Sequence, residues 1–153
     1  MKRTRAVGIV INNQHVLLIQ RRVEGKEYYV FPGGGVEEGE EIEDAVLREL
    51  YEETTVKASI QKLIYHFNYL DQDSEHFFYL CNYIDGTPEL GEGNEKKEME
   101  AGNAYYKPLW FPIKNLSQTT IYPMEARNWL IADINNNFVD EVKSASIKMV
   151  REK

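Results

Sequence analysis

The sequence predicts an α+β protein in which helices pack against a mixed β-sheet. Several runs are rich in β-branched and aromatic residues, as strands are. Two other segments repeat apolar residues at helical spacing. Strands, a helix, more strands and a second helix follow one another along the chain, an order that favours a layered sandwich. Because the chain has 153 residues, we expect residues 1–153 to form a single domain.

The first part of the chain predicts a hairpin, a short strand and a turn. Two β-rich runs, Ala6–Ile11 and His15–Arg21, are separated by residues that include two asparagines. Asparagine tolerates the left-handed conformation of a tight turn, so these runs predict a hairpin. Glu27–Phe31 predicts an aromatic strand. Gly33–Gly35 predicts a turn, because glycine is unfavourable inside a strand or helix.

A helix is predicted to begin at Glu40 or Glu41 and to end at Glu53. Acidic residues crowd its first turn, where they suit the positive end of the helix dipole. The helix is predicted to end before Thr54–Val56, because adjacent β-branched residues favour extended geometry. Its apolar residues form one stripe for burial: Ile42, Ala45, Val46 and Leu50.

The rest of the chain predicts further strands, a long loop and a second helix. Strands are predicted over Ile60–Asp71, Glu75–Ile84 and Tyr105–Phe111, and an edge strand over Ser146–Val150. Helical spacing after Pro123 predicts a helix over Glu125–Asn136. The polar segment Gly86–Met99 predicts a loop, and loops of this length commonly serve a function.

The negative charge of the chain is concentrated in one segment. The formal net charge is −7, but residues 37–53 alone carry −8, from nine acidic residues and Arg48. The remainder is nearly neutral and has no basic stripe to neutralise a phosphate polymer. The distribution therefore argues against a nucleic-acid partner and favours a local cation site.

Cysteine content and hydropathy suggest a cytoplasmic protein without a membrane partner. Cys81 is the one cysteine, so no intrachain disulfide can form, and its apolar neighbours predict a buried thiol. The apolar segment Ala6–Ile11 is too short for a signal peptide or a membrane span.

Three glutamates of the first predicted helix lie on one face. Glu49, Glu52 and Glu53 stand three and four residues apart, a spacing at which helical side chains are neighbours. Carboxylates this close raise one another's pKa unless a cation lies between them. Nearby glycines let a ligand approach the backbone. These features predict a divalent cation and a phosphate-bearing substrate; the alternative is a solvated acidic helix face.

The segment from Gly34 to Val56 resembles the Nudix box, G-x5-E-x7-R-E-U-x-E-E-x-G-U, where U is aliphatic. Pro32–Gly33 precedes it, and the later Leu109–Pro112 also resembles a strand of this family. Thr55 stands where the family has glycine; since threonine is strained in the left-handed conformation favoured there, we expect local strain or a different helix exit. The matching residues are Gly34, Glu40, Arg48, Glu49, Leu50, Glu52, Glu53 and Val56.

The resemblance implies a Nudix-like α/β/α sandwich that hydrolyses a diphosphate linkage in a nucleoside diphosphate derivative. Water would attack phosphorus with the help of Mg²⁺, for which Mn²⁺ could substitute. The implied metal ligands are Glu49, Glu52, Glu53 and the backbone carbonyl of Gly33. Arg48 would orient the glutamates, and Gly34 and Glu40 would support the site; an ordinary surface ion pair is the alternative for Arg48.

The residues that would complete the site are less sharply defined by the sequence. The general base could be Glu52 or Glu53, or Glu98 or Glu100 from the long loop. Tyr28 and Tyr29 could stack on a nucleobase. The alternating aromatics of one predicted strand, Tyr65, Phe67 and Tyr69, favour core or dimer packing, and His66 and His76 are expected to be satisfied side chains within strands.

The implied partner is a small nucleotide, and the resemblance is compatible with a homodimer. Two family subgroups, the ADP-ribose and dinucleoside polyphosphate enzymes, carry a proline or a tyrosine beyond the box; those positions here are Asp71 and Gln72. A nucleoside triphosphate, oxidised or not, is therefore the favoured substrate. Two alternatives are a non-catalytic regulatory protein of the same fold and a prenyl diphosphate isomerase, which would need a reactive cysteine that Cys81 is poorly placed to supply.

Overall fold

The computed structural model describes residues 2–91, 97, 99, 101–102 and 104–148, and its described strands form one mixed sheet of nine strands. Helix α1 covers Ile42–Thr54 and helix α2 covers Met124–Asn135, with a 3-10 helix over Ile113–Gln118. The strands are β1 (Arg3–Asn12), β2 (His15–Val23), β3 (Lys26–Val30), β4 (Gly33–Gly35), β5 (Lys57–Tyr69), β6 (Ser74–Asp85), β7 (Tyr105–Pro112), β8 (Ile121–Tyr122) and β9 (Lys143–Ile147).

The two helices pack on opposite faces of the sheet, which confirms the predicted α/β/α sandwich. Successive residues of a strand point to opposite faces. On β1, Ala6 and Val10 pack with Leu50 of α1, whereas Val7 and Ile9 belong to the apolar cluster that contains Leu130 of α2. None of the helices in the described ranges is long and apolar enough to cross a membrane. The cytoplasmic location stays a prediction.

The predicted hairpin is present, and its strands then separate. Asn13 and Gln14 have φ angles of 51° and 63°, as a two-residue hairpin turn requires. Strand β1 pairs with β2 next to this turn, at Ile11↔Val16 and Asn12↔His15. Toward its other end β1 pairs instead with β4 on one side and with β6 on the other. The end of β1 away from the hairpin therefore lies apart from β2.

The prediction of a turn at Gly33–Gly35 is wrong. These residues form β4, which pairs antiparallel with β1 at Val7, Ala6 and Arg5. The glycines serve close approach rather than a left-handed turn. A Cβ on Gly33 would lie 2.5 Å from the carbonyl oxygen of Ala6, and one on Gly34 would lie 2.4 Å from the carboxylate of Glu49. Helix α1 therefore approaches the sheet more closely than any other residue would allow.

The other predicted elements are found with small shifts at their ends. Helix α1 begins two residues after Glu40 and ends at Thr54, and α2 begins at Met124. The predicted edge strand is present as β9 and lies at the sheet edge, but it begins at Lys143 rather than Ser146. The 3-10 helix and β8 have no periodic signal in the sequence and were not predicted. Tyr65, Phe67 and Tyr69 are fully buried, which confirms core packing.

A buried carboxylate joins α2 to the sheet. Asp133 is 3% exposed, accepts a hydrogen bond of 2.7 Å from the hydroxyl of Tyr65 on β5, and lies 2.6 Å from the ammonium of Lys143 on β9. A buried charge is tolerated only when it is paired and hydrogen-bonded in this way. The contact fixes α2 against both strands.

Candidate active site

The guanidinium of Arg48 lies at the centre of the acidic segment. Its Nε and Nη2 atoms donate to the two carboxylate oxygens of Glu40 at 2.8 and 2.9 Å. Its Nη1 donates to Glu49 at 2.8 Å and to Glu52 at 3.1 Å, and Nη2 also donates to the carbonyl of Gly35. The guanidinium of Arg48 thus holds β4, the segment before α1 and two glutamates of α1 in fixed positions.

These contacts explain how the carboxylates of Glu40, Glu49 and Glu52 can lie close to one another. A cation between acidic groups offsets the repulsion between their negative charges. Arg48 fills this role for Glu49 and Glu52, and the hydrogen bond to Glu40 raises the pKa of Arg48 itself. Arg48 therefore makes more contacts than the single surface ion pair that was its alternative role. Whether Arg48 acts in catalysis stays a prediction.

Glu40 connects the segment before α1 to the helix. Its carboxylate accepts the bidentate contact from Arg48 and a 3.0 Å hydrogen bond from the backbone N–H of Glu37. The hydrogen bond from Arg48, followed by the one from Glu37, lowers the pKa of Glu40 to about 2. Glu40 is thus ionised throughout the neutral range, as an acceptor for Arg48 must be.

Glu53 is the buried member of the three glutamates. It is 6% exposed, and its Oε1 atom accepts a 2.8 Å hydrogen bond from the backbone N–H of Gly33. Gly33 can lie this close to α1 because β4 pairs with β1, the strand against which Leu50 of α1 packs. The carbonyl oxygen of Gly33 accepts from Nη2 of Arg5 at 3.4 Å. Helix α1 and strand β4 therefore place a carboxylate and a peptide group side by side.

The residue that follows α1 has a left-handed backbone conformation although it is not glycine. Thr55 has φ 60° and ψ 6°, and its N–H donates to the carbonyl of Tyr51. Of the two expectations for this position, the structure shows local strain rather than a different helix exit. The hydroxyl of Thr55 donates to the carbonyl of Thr87 at 2.9 Å, and the N–H of Glu89 donates to the carbonyl of Thr54 at 3.0 Å. The segment after β6 thus caps the helix that carries the glutamates.

The oxygen atoms at this site are suitable ligands for a hard divalent cation, and the site is open. Carboxylate and carbonyl oxygens are the ligands that Mg²⁺ prefers. No three acidic, histidine or cysteine side chains within the described ranges already stand together as a metal cluster. Mg²⁺ is commonly held by one or two carboxylates together with water and substrate phosphates, so an open site fits its chemistry. The assignment of individual ligands stays a prediction.

A cavity of about 820 Å³ opens beside Glu53, on the face of the sheet away from α1. It lies where β1 and β2 have separated, with walls from both strands and from the start of α2. This size is sufficient for a nucleotide. Cationic side chains line the cavity, and Glu53 and Gly33 form part of its wall. The cations are Arg3 and Arg5 on β1, Arg21 on β2, and Lys148.

The sequence interpretation missed these cationic residues, although a signal was present. Arg3 and Arg5 alternate with Thr4 directly before the apolar part of β1, so period-two spacing places them on the same face as Val7. His76 also lines the cavity, is 8% exposed and lies 3.0 Å from the hydroxyl oxygen of Ser74. Burial, and secondarily the charges of Arg5 and Arg3, lower the pKa of His76 to about 3.

Tyr28 and Tyr29 are not part of the wall of this cavity. Tyr28 and Tyr29 line a separate, smaller depression on the surface, and Tyr29 packs on Phe111 with ring centres 5.0 Å apart. Glu98 and Glu100 lie outside the described residues, so their proposed role as a base stays a prediction. Burial raises the pKa of Cys81 to about 12, which makes this thiol a poor nucleophile and gives no support to the isomerase alternative.

Comparisons with known proteins agree with this fold. The family model described as the NUDIX domain matches residues 2–131. An 8-oxo-dGTP diphosphatase from Haemophilus influenzae is 37% identical over 95 residues, which cover 59% of this chain and 70% of that protein. An ADP-ribose pyrophosphatase from Methanocaldococcus jannaschii is 34% identical over 98 residues, covering 61% of this chain and 57% of that protein.

Solved structures show the same architecture. The crystal structure of a NUDIX hydrolase from Nitrosomonas europaea superposes with a TM-score of 0.74 and covers 95% of this chain and 79% of that protein. The two sequences are 13% identical, so this likeness concerns the fold. The family itself is identified by the sequence model that matches residues 2–131.

Proposed function

The chain belongs to the NUDIX domain family as a diphosphohydrolase, and on that premise we propose that it hydrolyses a nucleoside triphosphate, oxidised or not, by metal-assisted attack of water on phosphorus. The observation that carries the proposal is the position of Glu53. It is buried against the peptide of Gly33 and at the same time forms part of the cavity wall. A phosphate chain that enters the cavity would meet this carboxylate first.

The metal would be held by Glu49, Glu52, Glu53 and the carbonyl of Gly33, with Mg²⁺ favoured and Mn²⁺ as a substitute. When bound, such an ion neutralises phosphate oxygens and lowers the pKa of coordinated water. The residues of the chain supply the orientation. Arg48 fixes Glu49 and Glu52, and the N–H of Gly33 fixes Glu53.

The base that accepts the proton from water is proposed to be Glu52 or Glu53. Glu52 lies at the outer end of the Arg48 cluster with a side chain 45% exposed, whereas Glu53 lies at the cavity. A carboxylate within hydrogen-bond reach of the attacking water meets the requirement for a general base. The position of Glu53 beside the cavity favours it over Glu52.

The names of two relatives support a substrate with a diphosphate linkage. One relative is an 8-oxo-dGTP diphosphatase and another is an ADP-ribose pyrophosphatase. Both names describe cleavage of a diphosphate linkage. The two subgroup positions, Asp71 and Gln72, lack the proline and tyrosine markers, which keeps the nucleoside triphosphate as the favoured class.

The test is hydrolysis over a panel of triphosphates, oxidised triphosphates, ADP-ribose and nucleotide sugars, with Mg²⁺, with Mn²⁺ and with chelator. We expect metal-dependent release of phosphate or pyrophosphate that falls by about 10²-fold or more in Glu53→Gln. Glu43→Gln is the matched control, because it makes the same charge change in the exposed first turn of α1. Equal activity of Glu53→Gln and Glu43→Gln would contradict the role given to Glu53.

A further inference from the structure

The cavity beside Glu53 carries an excess of fixed positive charge. None of Arg3, Arg5 and Arg21 has a carboxylate oxygen within ion-pair distance among the described residues, although other arginines of the chain do, such as Arg22 and Arg48. The carboxylates in the cavity wall are Glu53 and Glu125. Guanidinium groups that line a cavity without acidic partners attract an anion and bind phosphate oxygens in a fork geometry.

Arg21 supplies the most specific observation. Its Nη2 atom donates to the hydroxyl of Tyr106 at 3.2 Å, and its guanidinium lies 4.9 Å from the centre of that ring. Its Nε atom is buried and has no hydrogen-bond partner in the described chain. The Nε atom is enclosed within the wall, so it does not face the cavity. The contact with Tyr106 holds the guanidinium in the wall, and its other donors are the ones placed to meet an acceptor in the cavity.

Position along β1 separates these cations from the phosphates that are cleaved. Arg5 reaches the carbonyl of Gly33 and is therefore next to the proposed metal site. Arg3 lies two residues further along the strand on the same face, about 7 Å away at the usual rise of a strand. A single diphosphate at the metal site would leave Arg3 without a counter-charge. The part of the substrate that enters the cavity beyond the scissile linkage must supply it.

The cavity wall combines two kinds of lining. Aromatic residues such as Phe31, Phe78 and Tyr122 suit a nucleobase. The arginines on β1 and β2 suit an anionic group instead. Such a group would lie between the two strands that carry these arginines.

We propose that the cavity binds a phosphate group carried by the substrate in addition to its scissile diphosphate, so that a nucleotide with a phosphomonoester on the sugar is preferred over the same nucleotide without it. This inference rests on the proposed diphosphohydrolase activity, because the role of the additional phosphate would be to orient the substrate for cleavage. It assigns Arg3 and Arg21 as the residues that determine specificity. Arg5 lies too close to the metal site to separate the two roles.

Binding without turnover provides the first test. The Glu53→Gln variant, in chelator, is titrated with adenosine 3′,5′-bisphosphate and with adenosine 5′-monophosphate, which differ by one phosphate. We expect the bisphosphate to bind about tenfold or more tightly, the size of one charge-assisted contact. Arg3→Gln and Arg21→Gln should each reduce this ratio toward one. Arg22→Gln is the matched control, because Arg22 follows Arg21 but pairs with the exposed Glu27 and lies outside the cavity wall.

Turnover provides the second test and separates this inference from the proposed function. The active enzyme is compared on NADP⁺ and NAD⁺ and on coenzyme A and dephospho-coenzyme A, pairs that differ by one ribose phosphate. A higher kcat/KM for the phosphorylated member, lost in Arg3→Gln and Arg21→Gln but not in Arg22→Gln, would support the inference. Metal-dependent hydrolysis of triphosphates with no preference in binding or turnover would overturn the inference and leave the proposed function standing. A binding preference without any hydrolysis would support the phosphate site and overturn the activity.

Discussion

At residue 48 a single guanidinium contacts carboxylates from three places in the chain, Glu40, Glu49 and Glu52. A lysine at this position keeps the charge but offers one ammonium in place of a planar fork. The bidentate contact to Glu40 and the contact to Glu49 therefore cannot both persist. The position of the glutamates depends on the shape of this side chain as well as on its charge.

We expect Arg48→Lys to lower kcat by about 10²-fold, the effect of displacing catalytic groups by roughly 1 Å. Steady-state kinetics on the best substrate of the panel would measure it. Arg22→Lys is the control, because its partner Glu27 is 46% exposed and such pairs contribute little. If Arg48→Lys retained the kcat of the parent protein, the orienting role of the guanidinium would be wrong.

His76 makes the stability depend on pH in a defined direction. Burial lowers its pKa in the folded state to about 3 from an ordinary value of 6.5, so between these values the unfolded chain binds a proton that the folded chain does not. Stability therefore rises with pH across this window, by at most about 1.4 kcal/mol per pH unit from this group.

Denaturant unfolding of the parent protein and of His76→Gln at several values from pH 3.5 to pH 8 would measure this contribution. We expect the variant to lose less stability on acidification than the parent protein. Parallel curves for the parent protein and His76→Gln would show that the imidazole is not held uncharged.

At the scale of elements, β4 decides where α1 can lie. Gly34 has no Cβ to separate the strand from the carboxylate of Glu49, whereas a Cβ on Gly35 would meet nothing within 4 Å. These adjacent glycines therefore form a matched pair. One faces the helix and the other faces open space.

We expect Gly34→Ala to reduce kcat by about 10²-fold with a small change in Tm, because the group that must move is the flexible end of Glu49. Gly35→Ala should leave both quantities nearly unchanged, since Gly35 lacks a left-handed backbone. Kinetics and thermal unfolding of the two variants would compare them. Equal activity would mean that Glu49 can move without consequence for the reaction.

The elements also show what a sequence can and cannot predict here. Periodicity predicts α1, α2 and the long strands because each buries one regular apolar face. It does not predict β4, since three glycines have no side-chain pattern and their pairing with β1 depends on contacts between distant residues. The strain at Thr55 was predictable, because a helix end commonly needs a left-handed residue whatever the fold around it.

Among the site residues, those on one helix were predictable and those assembled by the sheet were not. Glu49, Glu52 and Glu53 share a face through local spacing alone. Arg3 and Arg21 line one cavity only because β1 and β2 separate beyond their hairpin and leave a space between them. That separation depends on the pairing of β4 with β1. Asp133 likewise gave no signal, because its partners Tyr65 and Lys143 lie on strands remote in sequence.

At the scale of the whole molecule, Asp133 joins the layer of α2 to the sheet. We expect Asp133→Asn to lower the free energy of unfolding by about 1–3 kcal/mol, since the buried contact with Lys143 loses its charge while the shape is kept. Asp140→Asn is the control, because Asp140 lies 3.6 Å from the same ammonium but is 53% exposed. Chemical denaturation would measure both. A larger loss in Asp140→Asn would contradict the assignment of Asp133 as the structural partner.

The two faces of the sheet divide the work between different sets of residues. The glutamates and Arg48 belong to the side of α1, while Arg3 and Arg21 line the opposite side, and Glu53 extends from the first set to the second. We therefore expect mutations on the cavity side to change which molecule is accepted while the proposed catalytic glutamates are kept. The separation of β1 from β2 would then provide a surface on which substrate preference can change independently of the reaction.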